Sequence, residues 1–211
     1  MLHVDAWQKK LAARIGNFRP KRCLEAGSGH GLTSLLIDTE GCRRFLLDLV
    51  PSALNLAEKI FAHQQQEAVF TVGNLFSMPF EDQMFDVVFN SGVLEHFDYD
   101  ERVAAVKEMV RTVRPGGIVV IGLPNHYSYP YRYSYEYRKK RNEWPYPDEH
   151  RLYDLSGEIE SAGVKVRQQR ETVSRKTALH FLRRHQRILF RMLDVFKPYE
   201  GYLTILTLTR E

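Results

Sequence analysis

A chain of 211 residues, 44% hydrophobic and 27% charged, is long enough to bury one sizeable core and short for two. That composition excludes a disordered, collagen-like or disulfide-stapled protein, and two cysteines, Cys23 and Cys42, suit a reducing compartment better than a Cys-rich zinc site. With 30 basic against 26 acidic residues the net charge is +4, too mild an excess to assign nucleic acid, anionic lipid or an acidic small molecule as partner. The longest apolar stretch, Gly116 to Pro124, falls far short of the roughly 20 residues of a membrane span. Residues Met1 to Lys10 lack the apolar core of a signal peptide. A single cytoplasmic domain over 1–211 is therefore the expectation.

Taken in order, Asp5 to Phe18 reads as an amphipathic helix with Trp7, Leu11 and Ile15 on one side. A strand over Arg22 to Ala26 runs into Gly27-Ser28-Gly29-His30-Gly31 and then a helix carrying Leu32, Leu35 and Leu36. Next come a strand over Arg44 to Leu49 and a helix opened by Pro51, whose missing N–H is unpaired in a first turn anyway. Leu54, Ala57, Ile60 and Phe61 give that helix its apolar face. Val69 to Val72 and Phe85 to Asn90 are the third and fourth strands. Asp98 and Asp100 then open a helix whose buried side is Val103, Val106, Val110 and Val113. Pro115-Gly116-Gly117 ends it, and Ile118 to Leu123 is a continuous apolar run of the kind found in strands covered on both faces. Strands alternating with helices imply an α/β fold on a parallel sheet.

Two insertions interrupt this scheme. Residues 125–153 hold eight of the chain's 11 tyrosines, with strict alternation from Tyr127 to Tyr137. In an extended segment that alternation makes one side wholly tyrosine, which suits a lid over a pocket or a packing or dimer surface. Between candidate strands Val164 to Gln169 and Tyr202 to Thr209, residues 175–196 read as a basic amphipathic helix. Arg183, Arg187 and Arg191 recur every fourth residue, with Leu182, Leu189, Leu193 and Phe196 opposite. Docking on its own domain or on a second copy, as a homodimer, is the expectation, and peripheral contact with an anionic membrane is the alternative.

The glycine cluster sits directly after a strand and before a helix, the context in which glycines let a ligand approach the backbone. Asp48 follows Gly31 by 17 residues, at the end of the second strand, where a carboxylate can accept from ribose hydroxyls. An adenosine-containing ligand across the carboxyl ends of the strands is implied. Leu32 stands where a dinucleotide fingerprint needs a small residue, which argues against a nicotinamide or flavin dinucleotide.

These residues resemble the class I S-adenosylmethionine-dependent methyltransferases, in particular the small-molecule branch with the type 11 signature. The likeness covers roughly 22–124 and rests on five motifs in order. They are Glu25-Ala-Gly-Ser-Gly-His-Gly31, Asp48-Leu49 with Ser52, Gly73-Asn74-Leu75 with Met78-Pro79-Phe80, Phe85 through His96, and Arg114-Pro115-Gly116-Gly117. The resemblance implies a Rossmann-like, seven-stranded, mostly parallel sheet with helices on both faces and S-adenosyl-L-methionine as cofactor. It further implies that Glu25, Ala26, Gly27, Ser28, Gly29 and Gly31 hold the methionine end. Asp48 would take the ribose, and Leu49, Asn74 and Leu75 the adenine. Asn90, Ser91, Gly92 and Val93 would pass beneath the sulfonium. Asn74 stands where the family usually has Asp; an amide can still accept from the adenine amino group and donate to a ring nitrogen.

The implied reaction is methyl transfer to an oxygen, nitrogen or carbon nucleophile of a small molecule. His96, His126 and Glu95 are the candidate bases, and Asn125, Tyr127, Tyr131 and His150 the candidate acceptor contacts. For His96, a packing or capping role competes with that of base. No metal is expected, since the histidines and cysteines lack ligand spacing. A macromolecular (RNA or protein) methyltransferase and a non-catalytic cofactor-binding scaffold are the alternatives. The fourth strand ends in Asn90-Ser91-Gly92-Val93, not the Asn-Pro-Pro-aromatic turn of adenine-methylating enzymes, so no specific nucleic acid is expected.

Overall fold

The computed structural model describes residues 5–37, 40–180 and 182–211, with the backbone alone at position 196. Its strands are β1 (Arg22–Ala26), β2 (Arg43–Asp48), β3 (Val69–Val72), β4 (Phe85–Ser91), β5 (Val113–Pro124), β6 (Val166–Val173) and β7 (Leu203–Arg210). Its helices are α1 (Ala6–Gly16), α2 (Leu32–Leu35), α3 (Pro51–His63), α4 (Tyr99–Thr112), α5 (Tyr129–Lys139), α6 (Ser156–Ala162) and α7 (Arg184–Phe196). The strands form one seven-stranded sheet in the order β3-β2-β1-β4-β5-β7-β6. All pairings are parallel except those of β7, which runs antiparallel to both β5 and β6.

Alternation along the strands sends side chains to two separate cores. Leu24, Phe45, Val88, Val119 and Leu206 pack with Val106, Met109 and Val110 of α4 on one face. Cys23, Val87, Phe89, Val120 and Ile205 pack with Leu11, Ala12 and Ile15 of α1 on the other, where α3 also covers Leu46 with Leu54, Ala57 and Phe61. Helices therefore cover both faces, as expected for a doubly wound sheet. The chain reverses direction of sequence order between β1 and β4, and that switch point opens the crevice at the carboxyl ends where ligands bind in such sheets.

The helix after the glycine turn is shorter than its leucines suggested. It is a single turn, and Leu36 only caps it. The tyrosine run differs in kind. It is not extended: Ser128 precedes a helix with Pro130 in its first turn, a position where proline is well tolerated. The helical period then splits the tyrosines. Tyr131 and Tyr135 turn inward, while Tyr133 and Tyr137 stack with centroids 6.1 Å apart.

Helix α7 also departs from expectation. Gln186 and Phe190 face the protein, Phe190 against Tyr129 and Tyr133 of α5. Leu189 and Leu193, expected to pack, are 54% and 42% exposed. The side chain of Phe196 lies outside the described residues.

Candidate functional site

The glycine turn is held by β2. The N–H groups of Gly27 and Ser28 both donate to the Leu47 carbonyl, at 2.8 and 2.9 Å. Gly29 and Gly31 lie at φ +51° and +67°, a backbone region that side chains disfavour, but their surroundings differ. A Cβ on Gly31 would meet Leu46 Cδ2 at 2.2 Å, so that glycine is needed for packing. A Cβ on Gly29 would meet nothing within 4 Å, because this residue faces open space. Asp48 fixes the loop, accepting from Gly29 N at 2.7 Å through Oδ2 and from Val50 N at 2.9 Å through Oδ1. Each oxygen keeps a further lone pair for a ligand hydroxyl.

The space these residues face is a 480 Å³ cleft at the switch point, lined by Gly27, Ser28, Gly29, Asp48, Leu49, Asn74 and Leu75, with Ser91, Gly92, Val93 and His96 across it. Phe76 and Phe97 form its aromatic wall, with centroids 4.9 Å apart. Asn74 spends its carbonyl on its own turn, accepting from Phe76 N at 2.9 Å, which leaves the amide NH₂ to donate. An open glycine backbone, a carboxylate at the end of β2 and a mainly apolar wall fit an adenosyl ligand.

A second cavity of about 300 Å³ adjoins the first. Ser91, Gly92 and His96 line both. Its outer wall is a chain of rings in edge contact, running from Trp7 of α1 through Tyr202, Tyr131 and Trp144 to Tyr146. Glu95 is 3% exposed, its Oε2 has no hydrogen-bond partner among the described residues, and burial pushes its carboxyl up to about 8. Glu149 also lines the cavity, with Oε2 accepting from Tyr131 Oη and paired with His126 Nε2, both at 2.8 Å.

Hydrogen bonding distinguishes the two histidines. His96 Nδ1 lies 3.1 Å from the Asp148 carbonyl oxygen, an acceptor only, so Nδ1 carries the proton. Its Nε2 lone pair is left at the seam, 3.9 Å from Glu95 Oε1. His126 Nδ1 instead faces the Arg132 guanidinium at 3.2 Å, a donor only, so its proton is on Nε2 and points at Glu149. Its lone pair is taken and it is outside the cavity lining. The structure thus sets His126 against Glu149 and away from the cavity lining.

Several other candidate residues lie away from the two cavities. Glu25 points away from the cleft, beneath α2, where it accepts from Ser34 N at 3.1 Å and burial raises its carboxyl to about 7. Ala26 and Gly31 shape the turn without lining the cleft. Asn90 turns into the core toward Met109 Sδ, so only Ser91, Gly92 and Val93 of that segment reach the cleft. Asn125 is a buried brace, donating to Glu200 and to the Gly201 carbonyl, each at 2.9 Å. Tyr127 meets Tyr153 edge to face and lies beneath the Arg151 guanidinium, outside the cavity. The His150 side chain is exposed, and its backbone N–H holds the Glu95 carbonyl at 2.7 Å. Of the four proposed acceptor contacts Tyr131 alone lines the cavity. Trp7, Trp144, Tyr146 and Tyr202 had no motif to mark them, since they converge from distant segments. Phe76 and Phe97 flank motifs that could have drawn attention to them.

A seven-stranded sheet in this order, with β7 reversed and a nucleoside-sized cleft at its switch point, defines the class I methyltransferase architecture. Residues 24–121 match the methyltransferase domain family model, and this match together with the fold supports a class I S-adenosylmethionine-dependent methyltransferase. It is 35% identical over 120 residues to phthiotriol/phenolphthiotriol dimycocerosates methyltransferase of Mycobacterium leprae, covering 54% of this chain and 41% of that one. It is 29% identical over 119 residues to malonyl-[acyl-carrier protein] O-methyltransferase of Serratia marcescens, covering 54% and 44%. These matches span less than half the length of either relative. Geranyl diphosphate methyltransferase, solved in complex with S-adenosylmethionine, shares the fold over 96% of this chain and 85% of its own, with a TM-score of 0.67 at 13% identity.

Proposed function

We propose that this chain transfers the methyl group of S-adenosylmethionine to a nucleophile of a small-molecule acceptor seated in the aromatic cavity. The observation that carries this reading is the shared lining: Ser91, Gly92 and His96 border both cavities, so two ligands would meet there. When bound, the cofactor supplies a methyl carbon whose bond to sulfur breaks, with its electron pair, as the acceptor nucleophile bonds to carbon. The protein's own contribution is orientation, worth about 7–11 kcal/mol when two reactants are well aligned, together with His96 Nε2 as acceptor of any proton the nucleophile must lose.

The size of the second cavity, about 300 Å³, supports a small acceptor. Asp5 and Glu149 line it without a Lys or Arg among the described residues, an arrangement that repels a polyanion and disfavours nucleic acid as acceptor. The acceptors named for the similar proteins differ among themselves and none is carried over. Isothermal titration with S-adenosylmethionine and S-adenosylhomocysteine, followed by mass spectrometry of a small-metabolite pool incubated with methyl-labelled cofactor, tests the proposal. Micromolar binding and a labelled small product are expected. Absence of heat with both compounds overturns it, as does label found only in protein or RNA.

A further inference from the structure

The second cavity combines an aromatic wall with acid groups, and that combination selects a class of acceptor. We propose that the acceptor is an amine that enters as its ammonium ion, held between the aromatic wall and the Glu95 carboxylate, and is methylated on nitrogen. This rests on the methyltransferase reading above and deepens it.

Ring faces carry negative quadrupole charge and attract cations, more strongly where water is excluded. Here Trp7, Tyr202, Tyr131, Trp144 and Tyr146 form a continuous wall. Glu95 adds a buried carboxyl with an oxygen that has no partner among the described residues, which is costly to leave unpaired unless a donor arrives. Its neighbour Glu149 already accepts from Tyr131 and His126, so Glu95 is the group left to meet an incoming N–H. Trp144 Nε1 is likewise buried without a partner. A neutral alcohol carries no charge that would stabilise an ionised Glu95, and a carboxylate or phosphate would be opposed by the acid groups of the cavity. Burial holds Glu95 up near 8, and an ammonium beside it lowers that value by stabilising the charged form. An ammonium nitrogen has no lone pair until it gives up a proton. His96 Nε2, at the seam with the cofactor cleft, is placed to take it, becoming imidazolium while Glu95 remains the counter-charge.

The test uses the full chain saturated with S-adenosylhomocysteine and three probes of similar size: 2-phenylethylamine, 2-phenylethanol and 3-phenylpropionate, titrated calorimetrically at pH 7.5. The ammonium is expected to bind at least about tenfold more tightly than either of the others. In Glu95→Gln that preference should fall by about tenfold while S-adenosylhomocysteine affinity stays as in the parent, since Glu95 is not part of the cofactor cleft. Trp144→Leu, at a half-buried wall position, should weaken the ammonium probe more than the alcohol and covers the case in which Glu95→Gln folds poorly. Equal or better binding of the alcohol or the carboxylate overturns the amine proposal and leaves the methyltransferase reading intact. Failure of S-adenosylhomocysteine itself to bind overturns the reading on which it rests.

Helix α7 carries an independent inference. Ile188, Leu189, Met192 and Val195 form an outward apolar face, 57%, 54%, 64% and 79% exposed. Arg184, Arg187 and Arg191 run along one edge of it, and no acidic residue occurs from 175 through 193. The one acid of the helix, Asp194, is paired with Arg175. An apolar face edged by cations complements an anionic lipid surface, and the geometry points to peripheral docking of this face on an anionic bilayer. Flotation with phosphatidylglycerol/phosphatidylcholine vesicles should carry the protein up, neutral phosphatidylcholine vesicles should not, and Ile188→Glu/Met192→Glu should abolish the effect. No flotation with anionic vesicles overturns the inference. So does a dimer in sedimentation that dissociates on the same substitutions, which would identify a second copy as the occupant.

Discussion

The Nδ1 of His96 and the carbonyl oxygen of Asp148, 3.1 Å apart, set the tautomer of the candidate base from the loop that follows α5. The same loop supplies His150, whose N–H fixes the Glu95 carbonyl at 2.7 Å. Two short backbone contacts thus orient both polar groups at the seam between cofactor and acceptor. His96→Ala should lower kcat by about 10²–10⁴-fold. An unchanged kcat in that variant would show that His96 only packs.

Asp48 ties the glycine turn and faces the nucleoside cleft. Asp48→Ala should weaken S-adenosylhomocysteine roughly 100-fold, the loss expected when charge-assisted hydrogen bonds are removed. Calorimetric affinity equal to the parent's would remove Asp48 from the binding site.

Gly29 and Gly31 should respond in opposite ways to the same substitution. Gly31→Ala drives a Cβ to 2.2 Å from Leu46 at φ +67°, and should destabilise the fold by about 1–3 kcal/mol. Gly29→Ala adds its methyl to open cleft space, so the chain should fold with a melting temperature within a few degrees of the parent but bind the cofactor poorly. Melting and titration on the two variants separate these outcomes.

Stability should fall as pH rises because of Glu95. Its folded-state carboxyl, held up near 8 by burial, stays protonated over a range in which the unfolded chain, with an ordinary glutamate near 4.5, has released its proton. The unfolded state therefore binds fewer protons between those values, and unfolding free energy declines across that window and levels off above it. Glu25, raised to about 7, adds to the decline over a narrower range. Glu95→Gln should flatten the profile and be more stable than the parent at pH 8.5, by on the order of a few kcal/mol. Urea unfolding at pH 5, 7 and 8.5 checks the slope.

Arg102 and Glu158 form a buried pair at 2.7 Å, and the same guanidinium holds the Phe97 carbonyl at 2.7 Å. Glu158→Ala should cost about 3–5 kcal/mol by stranding the arginine. Because Phe97 walls the nucleoside cleft, cofactor affinity should also drop in this variant, although the substituted residue lies on α6.

The sheet was readable because its strands are apolar runs bounded by turn residues: β1 and β3 have the limits expected from Arg22–Ala26 and Val69–Val72. The tyrosine segment is not legible as a helix from its period, because its side chains repeat every second residue, a strand period, while only Ser128 and Pro130 carry the helix-start signal. Asp48, Gly27, Gly29 and Ser91 through Val93 were legible because the cofactor cleft is built from consecutive loops at strand ends. Strand alternation decides why Asn90, one residue from the lining Ser91, points into the core, and why Glu25 lies on the α2 side of the sheet. The acceptor wall was not legible, since Trp7, Trp144 and Tyr202 meet only once the chain has folded. Leu189 and Leu193 showed a helix stripe but not its direction, which depends on Phe190 fitting against α5.

The two cavities draw on different parts of the polypeptide. The nucleoside cleft is furnished by the contiguous stretch from Gly27 to Phe97, whereas the ring wall borrows α1, the segment after α5 and the approach to β7. Substitutions in those outer pieces should alter the choice of guest while leaving the nucleoside cleft unchanged. Swapping those outer pieces between homologous scaffolds is thus a practical route to altered selectivity.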